Sequence, residues 1–187
     1  SSAASDVYKR QVAVKGDVGV EADVLAIFKV ADSLGRLSVL INNAGVVDAV
    51  ARVDEMSVER LNRMMTINII GTIIPSREAV RRMSIKHGGK GGVIVNLSSA
   101  AAKLGSPAMY VDYAAAKGAI DTFTLGLARE VATEGIRVNA VRPGLIDTDI
   151  HASGGVPDRI EKLRDQIPMK REGRADEVAV SYTHLTL

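Results

Sequence analysis

The sequence predicts an α/β protein: a mostly parallel sheet with helices on both faces, folded as one domain. Two observations carry this. Short β-branched runs alternate with longer amphipathic stretches along the whole chain, which is the signature of strand–helix–strand units. The chain also has 187 residues, 47% hydrophobic and 25% charged, enough for one sizeable core, with no repeat or linker to divide it.

Taken in order, VAV (12–14) predicts a first strand. EADVLAIFKVADSLG predicts a helix, because Val24, Ile27, Phe28 and Ala31 fall at helical spacing and Gly35 is a natural stop. SVLINNAG (38–45) predicts the next strand. A helix is expected over roughly 57–83, opened by Ser57 with Glu59 and Arg60 in its first turn. GGVIVNLSS (91–99) reads as a buried strand, 112–134 as a helix, and GIRVNAVRPG (135–144) as a strand broken at Pro143–Gly144. HASGGVP (151–157) reads as a loop, with a charged helix from about 157.

Composition excludes several functions. The 24 basic and 22 acidic residues leave a formal charge of +2, and two Phe and four Tyr supply few stacking platforms. Neither feature suits a nucleic-acid partner. With no cysteine and three scattered histidines, no metal site is expected. No apolar run reaches membrane-span length, so neither membrane nor membrane partner is expected, and the cytoplasm is the expected location.

In open α/β sheets ligands bind beyond the carboxyl ends of the strands. Four distinctive clusters sit there: GDV after VAV, NNAG after VLI, NLSS after VIV and RPG after VNAV. Beyond NLSS lies YVDYAAAKGAI (110–120), in which Tyr113 and Lys117 stand one helical turn apart on a shared face. Alone, that pair also fits a packing tyrosine beside a solvated lysine.

NNAG (42–45), NLSS (96–99), YAAAK (113–117) and RPGLIDT (142–148), in that order, resemble the short-chain dehydrogenase/reductase family over roughly residues 12–180. The resemblance implies a Rossmann-like doubly wound sheet and an NAD- or NADP-dependent oxidoreductase. Such an enzyme interconverts a secondary alcohol and a ketone by hydride transfer, acts on a small-molecule alcohol or carbonyl substrate, and assembles as a homodimer or homotetramer.

Tyr113 would be the acid/base. A free phenol has a pKa of about 10, and the Lys117 ammonium would lower it. Tyr110 has Ala114 four residues on and lacks this partner. Ser99, fourteen positions before Tyr113, would hold the substrate oxygen. It is preferred to Ser98, which points to the other side of the strand. Asn68, in MMTINIIGT, matches the asparagine that bends a helix and anchors a relay water, against the alternative of a capping or solvated side chain.

For the cofactor, the resemblance assigns Asp17 and Val18 to the adenine. It lays Asn42, Ala44 and Gly45 along the cofactor, and Pro143 and Gly144 opposite the nicotinamide. Ile146 and Thr148 take the carboxamide, and Lys117 the ribose.

The sequence departs from the family in lacking a glycine-rich turn that joins a first strand to a first helix and cradles the pyrophosphate. Relative to the family pattern, the first two strands, the first helix and the last strand are not found. Residues 1–11 and 181–187 read as foreign, adapter-like ends around a partial domain at 12–180. The chain as written is therefore expected to be inactive. Two alternatives share the fold: a non-catalytic nucleotide-binding module, expected to lose Tyr113 or Lys117, and a nucleotide-sugar epimerase or dehydratase, expected to carry a larger substrate domain.

Overall fold

The structure, a computed structural model, describes residues 11–150, 154–156 and 158–186. The first helix, α1 (Glu21–Leu34), stops at Gly35, whose φ of 136° suits glycine. Strand β1 (Val39–Asn42) follows. Ser57 caps α2 (Val58–Met65) by accepting the Arg60 amide proton. A π-helical turn, Thr66–Ile70, joins α2 to α3 (Gly71–Met83), so the expected helix is one rod with a bulge at Asn68. Next come β2 (Gly92–Leu97), the short α4 (Ala101–Leu104), the long α5 (Val111–Glu130) and β3 (Ile136–Val141). A two-residue strand, β4 (Ile146–Asp147), pairs in parallel with β5 (Gly173–Arg174). Helices α6 (Arg159–Leu163) and α7 (Ala175–Thr186) complete the described residues.

The main sheet has the order β1–β2–β3, all parallel. Its central strand β2 is buried along nearly its whole length, as its apolar run predicts. The core on one face joins Val24 and Phe28 of α1 to Ala79 and Met83 of α3, Ile94 of β2 and Val138 of β3. On the other face α5 buries Ala114, Ala116, Lys117, Ile120 and Thr124.

VAV does not form the expected strand. Residues 11–17 have no ladder, and Val12 is 54% exposed. Alternating apolar residues make a strand only where a neighbour supplies backbone partners, and none of the described strands lies beside it. Among the described residues the outer edge of β1 is likewise unpaired, and Ile41 is 40% exposed there. Residues 181–186, read as a foreign end, are helical and continue α7; residues 1–10 and 187, which also belong to the ends read as foreign, lie outside the described set.

Two polar devices fix the layers. Asn42 and Asn96, opposite one another in the β1–β2 register, bond through Asn42 Nδ2 to Asn96 Oδ1 at 2.8 Å. The chain continues from Asn42 Nδ2 to Ser76 Oγ and from Asn96 Nδ2 to Thr124 Oγ1, each 2.9 Å. A buried ladder of side chains thus runs from α3 through the sheet to α5. At the start of α5, Asp112 takes a bidentate bond from Arg60 of α2, at 2.8 and 3.2 Å, with its side chain fully buried.

Candidate active site

The carboxyl edge of the sheet opens onto a cavity of about 780 Å³. Ser99 reaches it from the end of β2, and Tyr113 and Lys117 from the first and second turns of α5. Gly45 borders it after β1, and Pro143, Gly144, Ile146 and Thr148 after β3. The edge is held together by backbone bonds: Ser98 N donates to Val141 O and Ala100 N to Pro143 O, both at 2.9 Å. These carry the β2–β3 ladder past the strand ends and set Pro143 beside Ser99.

The two serines separate as strand alternation requires. Ser98 is 4% exposed and its Oγ donates to the Lys117 carbonyl at 3.2 Å, tying β2 to α5. Ser99 Oγ accepts from Ala101 N at 3.1 Å, and Ser99 lines the cavity together with Tyr113. Tyr110 is occupied elsewhere: it is fully buried, and its hydroxyl donates to Gly154 O at 3.0 Å. The segment between α4 and α5 is tight, with Ser106 and Ala108 at positive φ (47° and 55°).

Lys117 lies 5.6 Å from the Tyr113 ring centroid, and its Nζ donates to the Leu97 carbonyl at 2.6 Å. Burial lowers its pKa to about 8. The Tyr113 phenol is raised above its ordinary value by burial, opposed by the Ser99 hydroxyl and the Arg159 cation. This differs from the expectation that Lys117 depresses the phenol: its ammonium faces a carbonyl and the ring, not the phenolic oxygen.

Asn68 sits in the π-turn with no exposed surface, so it is neither a cap nor solvated. Its Oδ1 accepts from Val46 N and its Nδ2 donates to Val46 O, both at 2.9 Å. That two-way clasp draws the segment after NNAG against the helix. Gly45 is needed for it: a Cβ there would stand 2.8 Å from Asn68 Oδ1 and 3.5 Å from Lys117 Nζ. A π-bulge at a functional edge follows a common pattern.

The remaining expected residues lie apart from the large cavity. Val18, Asn42 and Ala44 line a second, smaller cavity of about 130 Å³ on the α1 side of β1. Val18 packs onto Gly71, where a Cβ would come within 2.6 Å of its side chain. Asp17 turns inward on its own segment, accepting from Gly19 N at 2.8 Å. Asn42 serves the buried ladder.

Arg159, which sequence reasoning missed, lines the large cavity on α6. No motif marks it; a lone arginine in a charged helix reads as solvated. Among the described residues no group of three or more His, Cys, Asp or Glu could hold a metal, and no helix is long and apolar enough to cross a membrane.

A family model described as Enoyl-(Acyl carrier protein) reductase matches residues 2–186, and the chain belongs to the short-chain dehydrogenase/reductase family. It is 51% identical over 167 residues to an uncharacterized oxidoreductase, YgfF, of Escherichia coli, covering 89% of this chain and 68% of the relative. It is 36% identical over 178 residues to the Arabidopsis thaliana NADPH-dependent aldehyde reductase 1, chloroplastic, covering 95% and 60%. Among solved structures, 3-ketoacyl-(acyl-carrier-protein) reductase from Brucella melitensis complexed with NADH superposes with a TM-score of 0.87 at 29% identity, covering 94% of this chain and 71% of that one. ElxO with NADP bound gives 0.80 at 33%, covering 92% and 69%. The chain thus spans about 60–68% of the length of these two curated relatives.

Proposed function

We propose that the whole protein is a cytoplasmic NAD- or NADP-dependent oxidoreductase that interconverts a secondary alcohol and a ketone, with Tyr113 as its acid/base. The observation that carries this is that Ser99, Tyr113 and Lys117 line one cavity at the carboxyl edge of the sheet. A hydroxyl pair of this kind can grip one substrate oxygen from two sides and exchange a proton with it.

The residues present fit the nicotinamide half of the cofactor. Gly45 leaves room where a Cβ would collide with Asn68, and the Lys117 ammonium is buried beside it within reach of a ribose hydroxyl. Pro143, Gly144, Ile146 and Thr148 form the opposite wall. Val18 and Ala44 border the small cavity assigned to the adenine, with Asp17 adjacent in sequence. For the diphosphate, no glycine-rich strand-to-helix turn occurs among the described residues. When bound, the nicotinamide supplies or accepts the hydride.

The chain's own part is as follows. Ser99 Oγ donates to the substrate oxygen and holds it against the phenol. Tyr113 Oη gives its proton to that oxygen in reduction and takes it back in oxidation. Lys117 is held beside the Tyr113 ring by the Leu97 carbonyl, where it would donate to the cofactor ribose. Asn68 fixes Val46 beside Gly45 and so shapes the wall near Lys117, and it would anchor the relay water assigned to it.

Tyr113→Phe tests this reading. In the whole protein turnover is expected to fall about 100-fold or more, with the dissociation constant for NADPH essentially unchanged. A Phe variant with near-normal turnover would reject the mechanism.

A further inference from the structure

Arg159 poses a problem that the proton-transfer reading leaves unsolved. Its Nε is buried without a hydrogen-bond partner, the one such side-chain atom among the described residues. Its guanidinium stacks over Tyr110, 5.1 Å from the ring centroid. It has no carboxylate partner there, although every other arginine described around it on α6 and beyond is paired: Arg164 with Glu172, Arg171 with Glu177 and Arg174 with Asp176. Buried donors are almost always satisfied, so an orphan calls for an explanation. Stacking engages the flat face of a guanidinium, and with Nε closed off by the protein the terminal Nη donors are the ones left to meet a ligand.

The cavity wall sharpens the point. It carries two cations, Lys117 and Arg159, and no aspartate or glutamate. Lys117 is committed to the Leu97 carbonyl. Arg159 lines the same cavity as Tyr113, and its charge favours the Tyr113 phenolate. The wall around it is largely apolar, with Leu104, Leu163, Ile167 and Val178, and includes the polar Gln166 and Tyr182.

We propose that Arg159 is the anion-recognising residue of the substrate pocket, and that the substrate is an oxo or hydroxy acid with an apolar body whose carboxylate pairs with this guanidinium. The proposal rests on the oxidoreductase reading for the word substrate, but not for the binding it predicts. A carboxylate accepts two parallel N–H bonds from a guanidinium, and the Tyr110 platform orients the fork. Pairing there would leave the carbonyl end of the acid free to reach Ser99 and Tyr113.

The same oxyanion chemistry could come from the cofactor's diphosphate, and the test separates the two. The probes are pyruvate, acetoacetate and levulinate, which differ in carbonyl–carboxylate spacing, with methyl acetoacetate and inorganic pyrophosphate as controls. Binding to the full chain is followed by calorimetry and by the Arg159 Nε–H resonance, identified by its loss in Arg159→Gln. At least one oxo acid is expected to shift that resonance saturably and to bind about 10-fold or more tighter than the ester. Arg159→Gln should remove that preference, Arg159→Lys should keep part of it, and both should melt within a few degrees of the wild type. Equal binding of acid and ester, an Arg159→Gln variant that still prefers acids, or a resonance moved by pyrophosphate alone would overturn the proposal. Tyr113→Phe should retain the acid preference, so failed proton chemistry and failed carboxylate recognition give different results.

Discussion

Lys117 and Tyr113 are both buried ionisable groups, and their opposite shifts set two pH windows. The Lys117 amine titrates at about 8 in the fold, against 10.5 unexposed to burial. Between those values the unfolded chain binds more protons, so stability rises with pH across that window. The Tyr113 phenol is raised above its ordinary 10.0. Above that value the folded chain holds the proton more strongly than the unfolded one, so stability falls. Denaturant midpoints from pH 7 to 10 are expected to climb in the wild type relative to Lys117→Met, in which the rise should vanish. Parallel curves for the two proteins would show that the amine is not desolvated as the Leu97 contact indicates.

At the level of elements, the Asn42–Asn96 pair shows how sheet register is enforced. Both asparagines come from strand ends that read, in sequence, as ordinary strand-breaking residues. Placed opposite each other, they link α3, β1, β2 and α5 through Ser76 and Thr124. Asn96→Leu strands the donors and acceptors of Asn42 and Thr124, and a cost of about 2–4 kcal/mol is expected in urea unfolding. A loss under 1 kcal/mol would mean that the ladder is not a stabilising unit. The outer faces of α3 and α5 have a different consequence. Ile70, Ile73 and Leu125 are exposed, and open space surrounds Gly118 and Gly126. Two such helices can approach closely, so the whole protein is expected to sediment as a dimer or tetramer at micromolar concentration, and Leu125→Asp is expected to weaken that assembly.

For the whole molecule, the determining feature is a three-stranded sheet with an unpaired β1 edge and an unpaired 11–17 segment. A diphosphate site at a helix N-terminus is not provided at α1, because its first turn carries Glu21 and Asp23, and the Asp23 carboxylate accepts from Asp17 N at 2.8 Å. The 187-residue chain by itself is therefore expected to show no tight, saturable NADPH binding by calorimetry. Micromolar affinity would require a phosphate site that this account does not contain.

Most of the architecture was legible because it is written in local terms. Apolar period, a Ser57 cap and a Gly35 stop are set by neighbouring residues, and so α1, the α2–α3 rod, β2, α5 and β3 stand close to where the sequence put them. Tyr113 and Lys117 share a face for the same reason, one helical turn being fixed by backbone geometry. VAV failed because strand formation needs a partner that local pattern does not report. The Lys117 charge could be counted but not aimed: whether it meets a phenol or a carbonyl depends on how β2 lies against α5. Arg159 was invisible altogether, since its meaning comes from burial, from Tyr110 beneath it and from the lack of an acid in the cavity wall. The sequence by itself determined which secondary elements form and which side chains can carry proton chemistry. Only the tertiary structure decided which of them are desolvated, which are paired and which are left facing the cavity, because those are properties of contacts between segments far apart in the chain.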